Sequence, residues 1–321
     1  MQSNTPPAAS RSGQEHFVAS LEETPVAPID RLDESQKARS TWDDAWDSMR
    51  RRPMFWISSI LILLILVVAL FPGLFTSVSP DKNCLLANSN GGPQSGHPLG
   101  FTRQGCDVYA RIIFGTQSSV TVGLLATLFV TIFGGAVGAL AGYYGGIFDS
   151  IVSRVGDIFF AIPTVLGAIV LMTVLPYRNP LTLATVLALF AWPQIARIMR
   201  GSVLSARNSD YVMASIALGV SKFRSLMRHV IPNAIAPVIV VATISLGTFI
   251  VAEATLSFLG IGLPGTIMSW GGDIGQARTS IRTSPQVLMY PAAALSLTVL
   301  AFLMLGDVVR DALDPKARAR R

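Results

Sequence analysis

The sequence predicts an all-α, polytopic membrane bundle of six transmembrane helices. Three observations carry this. Charged residues make up 14% of the chain and hydrophobic ones 51%, whereas a soluble domain averages about 25% charged. Seven apolar runs lack Asp, Glu, Lys and Arg: 54–71, 112–148, 158–177, 179–196, 230–252, 254–272 and 283–306. Lys and Arg also alternate in density between the segments that join these runs. Disorder, collagen and a disulfide-rich miniprotein are excluded by apolar content, aperiodic Gly and only two Cys.

Residues 1–40, rich in Ser, Pro, Ala and mixed charge, read as a mobile cytoplasmic tail. Residues 41–53 read as an interfacial helix. Trp42, Trp46 and Met49 share a face, Asp43 and Asp44 occupy the first turn, Arg50, Arg51 and Arg52 the last, and Pro53 ends it. The run 54–71 is a retained anchor, because it starts too far into the chain for a signal peptide. Residues of about 72–111 form an outer loop. A membrane helix needs about 20 apolar residues, so 112–148 is long enough for two short spans. Its Gly-rich end (Gly134, Gly135, Gly138, Gly142, Gly145, Gly146) argues for one span and a turn. Runs 158–177 and 179–196 supply the third and fourth spans, 230–252 the fifth and 283–306 the sixth. The run 254–272 carries Gly260, Gly262, Pro264, Gly265 and Gly271, so about 259–285 is read as an outer loop.

With the N-terminus inside, 19 of the 25 Lys and Arg fall in inner segments. The positive-inside rule then puts both termini in the cytoplasm. The net charge of +6 follows from this topology and calls for no nucleic-acid partner.

The inner loop 197–232 has structure of its own. Ser209 and Asp210 start a helix, Tyr211 to Leu218 make two turns, and Gly219 offers a left-handed stop. Ser221 caps a second helix, 222–230, which is expected to end before Pro232. Small Ala214, Ser215 and Ala217 let another surface approach the backbone. Apolar Tyr211, Met213, Ile216 and Leu218 are poorly placed on a bare cytoplasmic helix. Two readings stand with similar weight: a hairpin packed on its own bundle, or a partner surface.

The intramembrane charges are few and need partners. Arg154 and Asp157, three apart, are expected to pair. Glu253 interrupts the fifth span and is given a structural role ahead of a place at the partner or on the path. Asp307, Arg310 and Asp311 form an inner-surface cluster. No G-x-x-x-x-G-K-[ST] phosphate loop occurs, so ATP hydrolysis is not assigned to this chain. The three His have no metal-ligand spacing, and no Ser–His pair reads as a nucleophile. No cofactor or metal site is assigned.

Met213-Ala214-Ser215, three residues, Gly219, nine residues and His229-Val230-Ile231-Pro232 resemble the EAA loop of ABC importer permeases. Met213 stands where that pattern has its acidic residue, Ser215 where it has its second Ala, His229 where it has Ile and Ile231 where it has Leu. His97-Pro98-Leu99-Gly100 with Asp107 and Arg111 is similar to the dipeptide, oligopeptide and nickel permease family. So are Tyr143-Tyr144-Gly145-Gly146 with Asp149, the block Glu253-Ala254-Thr255-Leu256-Ser257-Phe258-Leu259-Gly260-Ile261-Gly262, and Arg310-Asp311-Ala312-Leu313-Asp314-Pro315. The resemblance covers roughly 41–316, so 54–316 is read as the six-span permease domain and 317–321 as a cytoplasmic tail. It implies a type I ABC importer-like fold and the second, C-type permease of a heterodimeric pair. It also implies a homologous permease, two cytoplasmic ATPases carrying ATP and Mg, and an extracytoplasmic binding protein. Peptide import by alternating access is the implied function, with nickel or another small solute as the alternative. The rivals from other classes are a self-contained channel or secondary transporter and a membrane-anchored scaffold. Tyr211, Met213, Ala214, Ser215, Leu218, Gly219, Arg224 and Pro232 are the implied ATPase-coupling residues.

Cys84 and Cys106, the only two cysteines, both fall in the first outer loop. The family segment usually has Arg where this chain has Cys106. A bridge would staple a Gly-rich loop in a compartment where disulfides persist. Two free thiols, or Cys84 packed as a small apolar residue, are the alternatives.

Overall fold

The computed structural model describes residues 41–82 and 84–313. The tails expected at 1–40 and 317–321 lie outside those residues. Among the described residues there is no β-strand beyond isolated bridges, and five helices are long and apolar enough to cross a membrane. A sixth crossing comes from a helix pair bent by 84°.

Helix α1 (Thr41–Arg50) precedes α2 (Pro53–Leu70), with Pro53 in the first turn of α2, where its missing N–H costs nothing. Helix α2 is apolar on every side. Phe55, Ser58, Ile62 and Ala69 are buried, while Trp56, Ile57, Ile60, Leu63 and Leu64 are exposed. Such a helix is solvated by lipid rather than by water. Helix α3 (Val108–Tyr144) has 37 residues. At about 1.5 Å per residue it is roughly 55 Å long, well beyond the ~30 Å hydrocarbon thickness. It stops at Gly145, whose φ of 66° is left-handed, so the expected turn after one span is present.

The third span is not the continuous helix expected over 158–177. Helix α4 (Gly146–Ala161) ends at Ile162 in an extended conformation, and α5 (Thr164–Val174) departs after Pro163. Steric conflict with the proline ring keeps the preceding residue out of helical space. The fourth helix, α6 (Pro180–Arg207), runs well past the expected limit of 196. Loss of apolar character ends a span but not a helix. Helix α10 (Ala236–Phe258) supplies the fifth span and α12 (Gln286–Leu313) the sixth. Between them the Gly-rich segment 259–285 holds a short helix, α11 (Trp270–Ala277), and a 3-10 turn at Arg278–Ser280.

Helices α3 and α6 run parallel and very close. Gly134, Gly138 and Gly142 lie on one stripe of α3. A Cβ on each would stand 2.7, 2.2 and 2.8 Å from the carbonyl oxygens of Trp192, Ala196 and Arg200 respectively. Small residues four apart let two backbones touch, which is how helices pack in lipid. The core continues through Val130, Leu183, Leu187, Ile195 and Met199, and a second cluster joins Ile62 of α2 to Val120, Ile250 and Phe302.

Buried polar groups hold the end of the bundle where α3 begins and α11 lies. Asp107 caps α3 through the Ala110 N–H and meets Nδ1 of His97 at 2.6 Å. Arg111 donates to Asp273 of α11 through Nε at 2.8 Å and again through Nη2. Burial pushes the Asp273 carboxyl up, opposed by Arg111. Glu253 is fully buried, and the Ser257 hydroxyl donates to its Oε1 at 2.7 Å. It therefore presents no surface to a path or partner. Gly271 packs against the Ala254 backbone, so α11 lies tightly on α10. The Cys84 and Cys106 sulfurs are bonded, with Cα atoms 4.3 Å apart.

The expected pair on α4 is replaced by another. Asp157 pairs with Arg197 of α6 at 2.9 Å, not with Arg154. Spacing put Arg154 and Asp157 on one face, but α6 brings a guanidinium to Asp157, and Arg154 is left exposed without an ion pair among the described residues. Of the three charges near the end of α12, Asp311 pairs with Arg52 at the start of α2, while Asp307 and Arg310 are exposed without an ion pair among the described residues.

Candidate functional site: the loop between α6 and α10

Helix α6 ends at Arg207 with Asn208 as its C-cap, and α7 (Asp210–Ala217) begins two residues after that cap. The expected cap is only partly formed. The Ser209 backbone carbonyl accepts from the N–H groups of Val212 and Met213, but its side chain makes no cap bond. Asp210 sits in the first turn, favoured by the helix dipole. Gly219 takes φ 88°, as a left-handed stop requires. Ser221 then caps α8 (Lys222–Ser225) by accepting from the Arg224 N–H.

The second helix does not end before Pro232. A wide π-helical turn, Leu226–Val230, leads into α9 (Ile231–Ala234), and the backbone stays helical throughout. Proline supplies no N–H and crowds the turn before it. Widening that turn lets the chain continue, which is a recognised role of π-turns.

One side of the hairpin faces inward. Val212, Ser225, Leu226 and Val230 are buried. Ser215 turns inward too, donating to the Val212 carbonyl at 2.8 Å and lying 3.2 Å from the Ser225 hydroxyl. The other side is an apolar ridge in the open. Leu218 is 86% exposed, Phe223 60% and Met213 57%. Tyr211, Ile216 and Met227 are exposed as well. Ala214 and Ala217 leave the middle of the ridge low, and Lys222, Arg224 and Arg228 form a cationic edge.

Of the eight residues singled out from the sequence, Tyr211, Met213, Ala214, Leu218, Gly219 and Arg224 lie exposed on this hairpin. Ser215 belongs to its inward side, and Pro232 lies one element further on. Phe223 and Met227 were missed. Their i, i+4 spacing was the available signal, masked by the expectation that a single short helix carries the surface. The hairpin's apolar ridge is covered by nothing among the described residues.

Residues 134–319 match the family described as binding-protein-dependent transport system inner membrane component. Residues 40–93 match the N-terminal TM domain of oligopeptide transport permease C. The oligopeptide transport system permease protein OppC of Bacillus subtilis (strain 168) is 35% identical over 88% of this chain and 92% of its own length. The dipeptide transport system permease protein DppC of Alkalihalophilus pseudofirmus is 35% identical with the same coverage. The glutathione transport system permease protein GsiD of Escherichia coli O6:K15:H31 is 33% identical over 94% of this chain and 97% of its own. Among solved structures, an inward-facing MetNI methionine ABC transporter chain aligns with 63% of this chain and 95% of its own, at 20% identity and a TM-score of 0.47.

Proposed function

We propose, for a chain that belongs to the family of binding-protein-dependent transport system inner membrane components and is thereby a multi-pass permease subunit of an ABC importer, that it forms half of a heterodimeric path for di- or oligopeptides. Oligopeptide, dipeptide and glutathione permeases among its relatives support a peptide cargo. The observation that carries the coupling role is the uncovered apolar ridge of α7 and α8 at the end of a continuous α6. It is the docking surface for a cytoplasmic ATPase subunit. Tyr211, Met213 and Leu218 enter a cleft on that subunit, Ala214 permits close approach, and Arg224 lies at the edge.

ATP binding closes the two ATPases and carries α7 with them. The permease pair then switches from inward-facing to outward-facing, and hydrolysis resets it. This chain supplies path and lever; ATP and Mg are held by the partner ATPases. Both termini lie on the cytoplasmic side, in keeping with 19 of 25 Lys and Arg on that side. Helix α1 lies along the inner leaflet, a placement supported by its half-exposed Trp42 and Trp46. The clasped outer loop faces the binding protein.

The test is Ala214→Arg, studied in the complete importer reconstituted in vesicles. Membrane insertion is expected to survive, while tripeptide uptake and cargo-stimulated ATP hydrolysis are lost. Normal uptake by this variant would remove α7 from the coupling role.

A further inference from the structure

Helix α4 is held along one face only. It is entered through Gly145 and Gly146, with φ of 66° and 64°, and a Cβ on Gly146 would meet open space. It is left through the break at Ile162 and Pro163, beyond which α5 departs at 84°. Along the held face, Asp149 receives two hydrogen bonds from the Arg200 guanidinium, the one from Nη2 at 2.6 Å. Further along, Arg197 donates to Asp157 at 2.9 Å, and its guanidinium lies 4.2 Å from the centre of the Phe160 ring.

Between these two pairs the packing is slack. Gly156 faces Pro193 of α6, and a cavity of about 50 Å³ opens beside them. Ser153 and Ala196 are among its lining residues. The opposite face of α4, with Ile147, Ile151 and Ile158, is exposed. Arg197 and Arg200 belong to the same helix that ends beside α7. One rigid rod therefore carries both the ATPase-docking hairpin and the two cations that grip α4.

We propose that Asp149–Arg200 and Asp157–Arg197 are a latch that transmits the displacement of α7, through α6, to α4. These four side chains are positioning residues for transport and touch no cargo. Partly exposed ion pairs are weak enough to break and remake as α4 slides over the cavity. Gly145, Gly146 and Pro163 localise the bending at the two ends of α4. The proposal rests on the reading of α7 as the ATPase dock.

The experiment uses the complete importer in vesicles with Ser153→Cys and Ala196→Cys in this chain. The native cysteines are bonded to each other and do not react with maleimides. A short bismaleimide is applied without nucleotide and after trapping with ATP and vanadate. The expected result is a several-fold change in cross-linking yield on trapping. Adding Arg197→Ala and Arg200→Ala should abolish that change while the ATPase subunits still co-purify. Exchanging charges, with Asp149→Arg and Arg200→Asp added instead, should restore it. A nucleotide-dependent yield that persists without the two arginines overturns the latch. So does an inserted charge-exchanged chain in which the dependence stays absent. Failure of the ATPases to co-purify with the chain before any latch substitution would sink the docking reading itself.

Discussion

Gly138 and Gly135 differ by one turn of the same helix, and substitution by Ala should move stability in opposite directions. A Cβ on Gly138 would stand 2.2 Å from the Ala196 carbonyl oxygen and 2.8 Å from its Cα. Both obstacles are backbone, so neither can swing aside. Helices α3 and α6 must separate by on the order of 1 Å, and overpacking of this kind costs about 1–3 kcal/mol. The separation also loosens the flanking contacts at Gly134 and Gly142, which depend on the same spacing. A Cβ on Gly135 meets nothing within 4 Å. There Ala removes backbone freedom from the unfolded chain and should stabilise the helix by up to about 1 kcal/mol. The assay is thermal unfolding of each variant in detergent, followed by the fraction remaining monodisperse. Gly138→Ala should fall below the parent and Gly135→Ala should equal or exceed it. Equal destabilisation by both would refute the stripe, because it would mean that glycine is needed for something other than close approach.

Arg111→Ala should lower stability by about 3–5 kcal/mol, since it leaves the buried Asp273 carboxylate uncompensated. Adding Asp273→Leu should recover part of that loss, and equal defects in single and double variants would show that the two do not act together. Glu253→Ala should cost about 1–3 kcal/mol through the lost Ser257 bond; Glu253→Gln should cost less in the same unfolding assay. Arg154→Ala should be close to neutral by that assay, whereas Asp157→Ala should impair uptake. Cys84→Ser should lower the stability of the outer loop by about 3 kcal/mol on the chain-entropy account. Two free thiols on denatured, unreduced parent protein would contradict the bridge.

What the sequence made legible was governed by local rules. The charge-free runs located the spans, because hydrocarbon excludes charge whatever the tertiary structure. Gly145, Gly146 and Gly219 announced turns, because few other residues adopt positive φ easily. The uncovered Tyr211, Met213 and Leu218 were conspicuous for the same reason: they sit where apolar residues should not. What stayed hidden depends on which helices become neighbours. Arg197, not Arg154, reaches Asp157, and no spacing within α4 encodes that. The glycines Gly134, Gly138 and Gly142 were read with their neighbours as the end of one span before a turn, but that α6 is the helix lying against them is encoded by no spacing within α3. Pro163 broke its helix and Pro232 did not. The difference lies in the chain before each, extended at Ile162 and widened into a π-turn at 226–230.

Helices α1 and α2 meet the rest of the chain through α3 and, much later in the sequence, through α12. Arg52 holds Asp311, and Ile62 and Ala69 share a core with Ala301 and Phe302. That closure has a consequence in time. A chain emerging from the ribosome inserts α2 first, meets α3 soon after, and leaves the part of its docking face that belongs to α12 unmatched until some 230 further residues have followed. During that interval α3 covers one part of α2, and the part reserved for Ala301 and Phe302 faces the bilayer. Completion of α12 ends the exposure at one stroke. A truncation within α12 should therefore loosen the opposite end of the chain, although the two lie more than 200 residues apart in sequence.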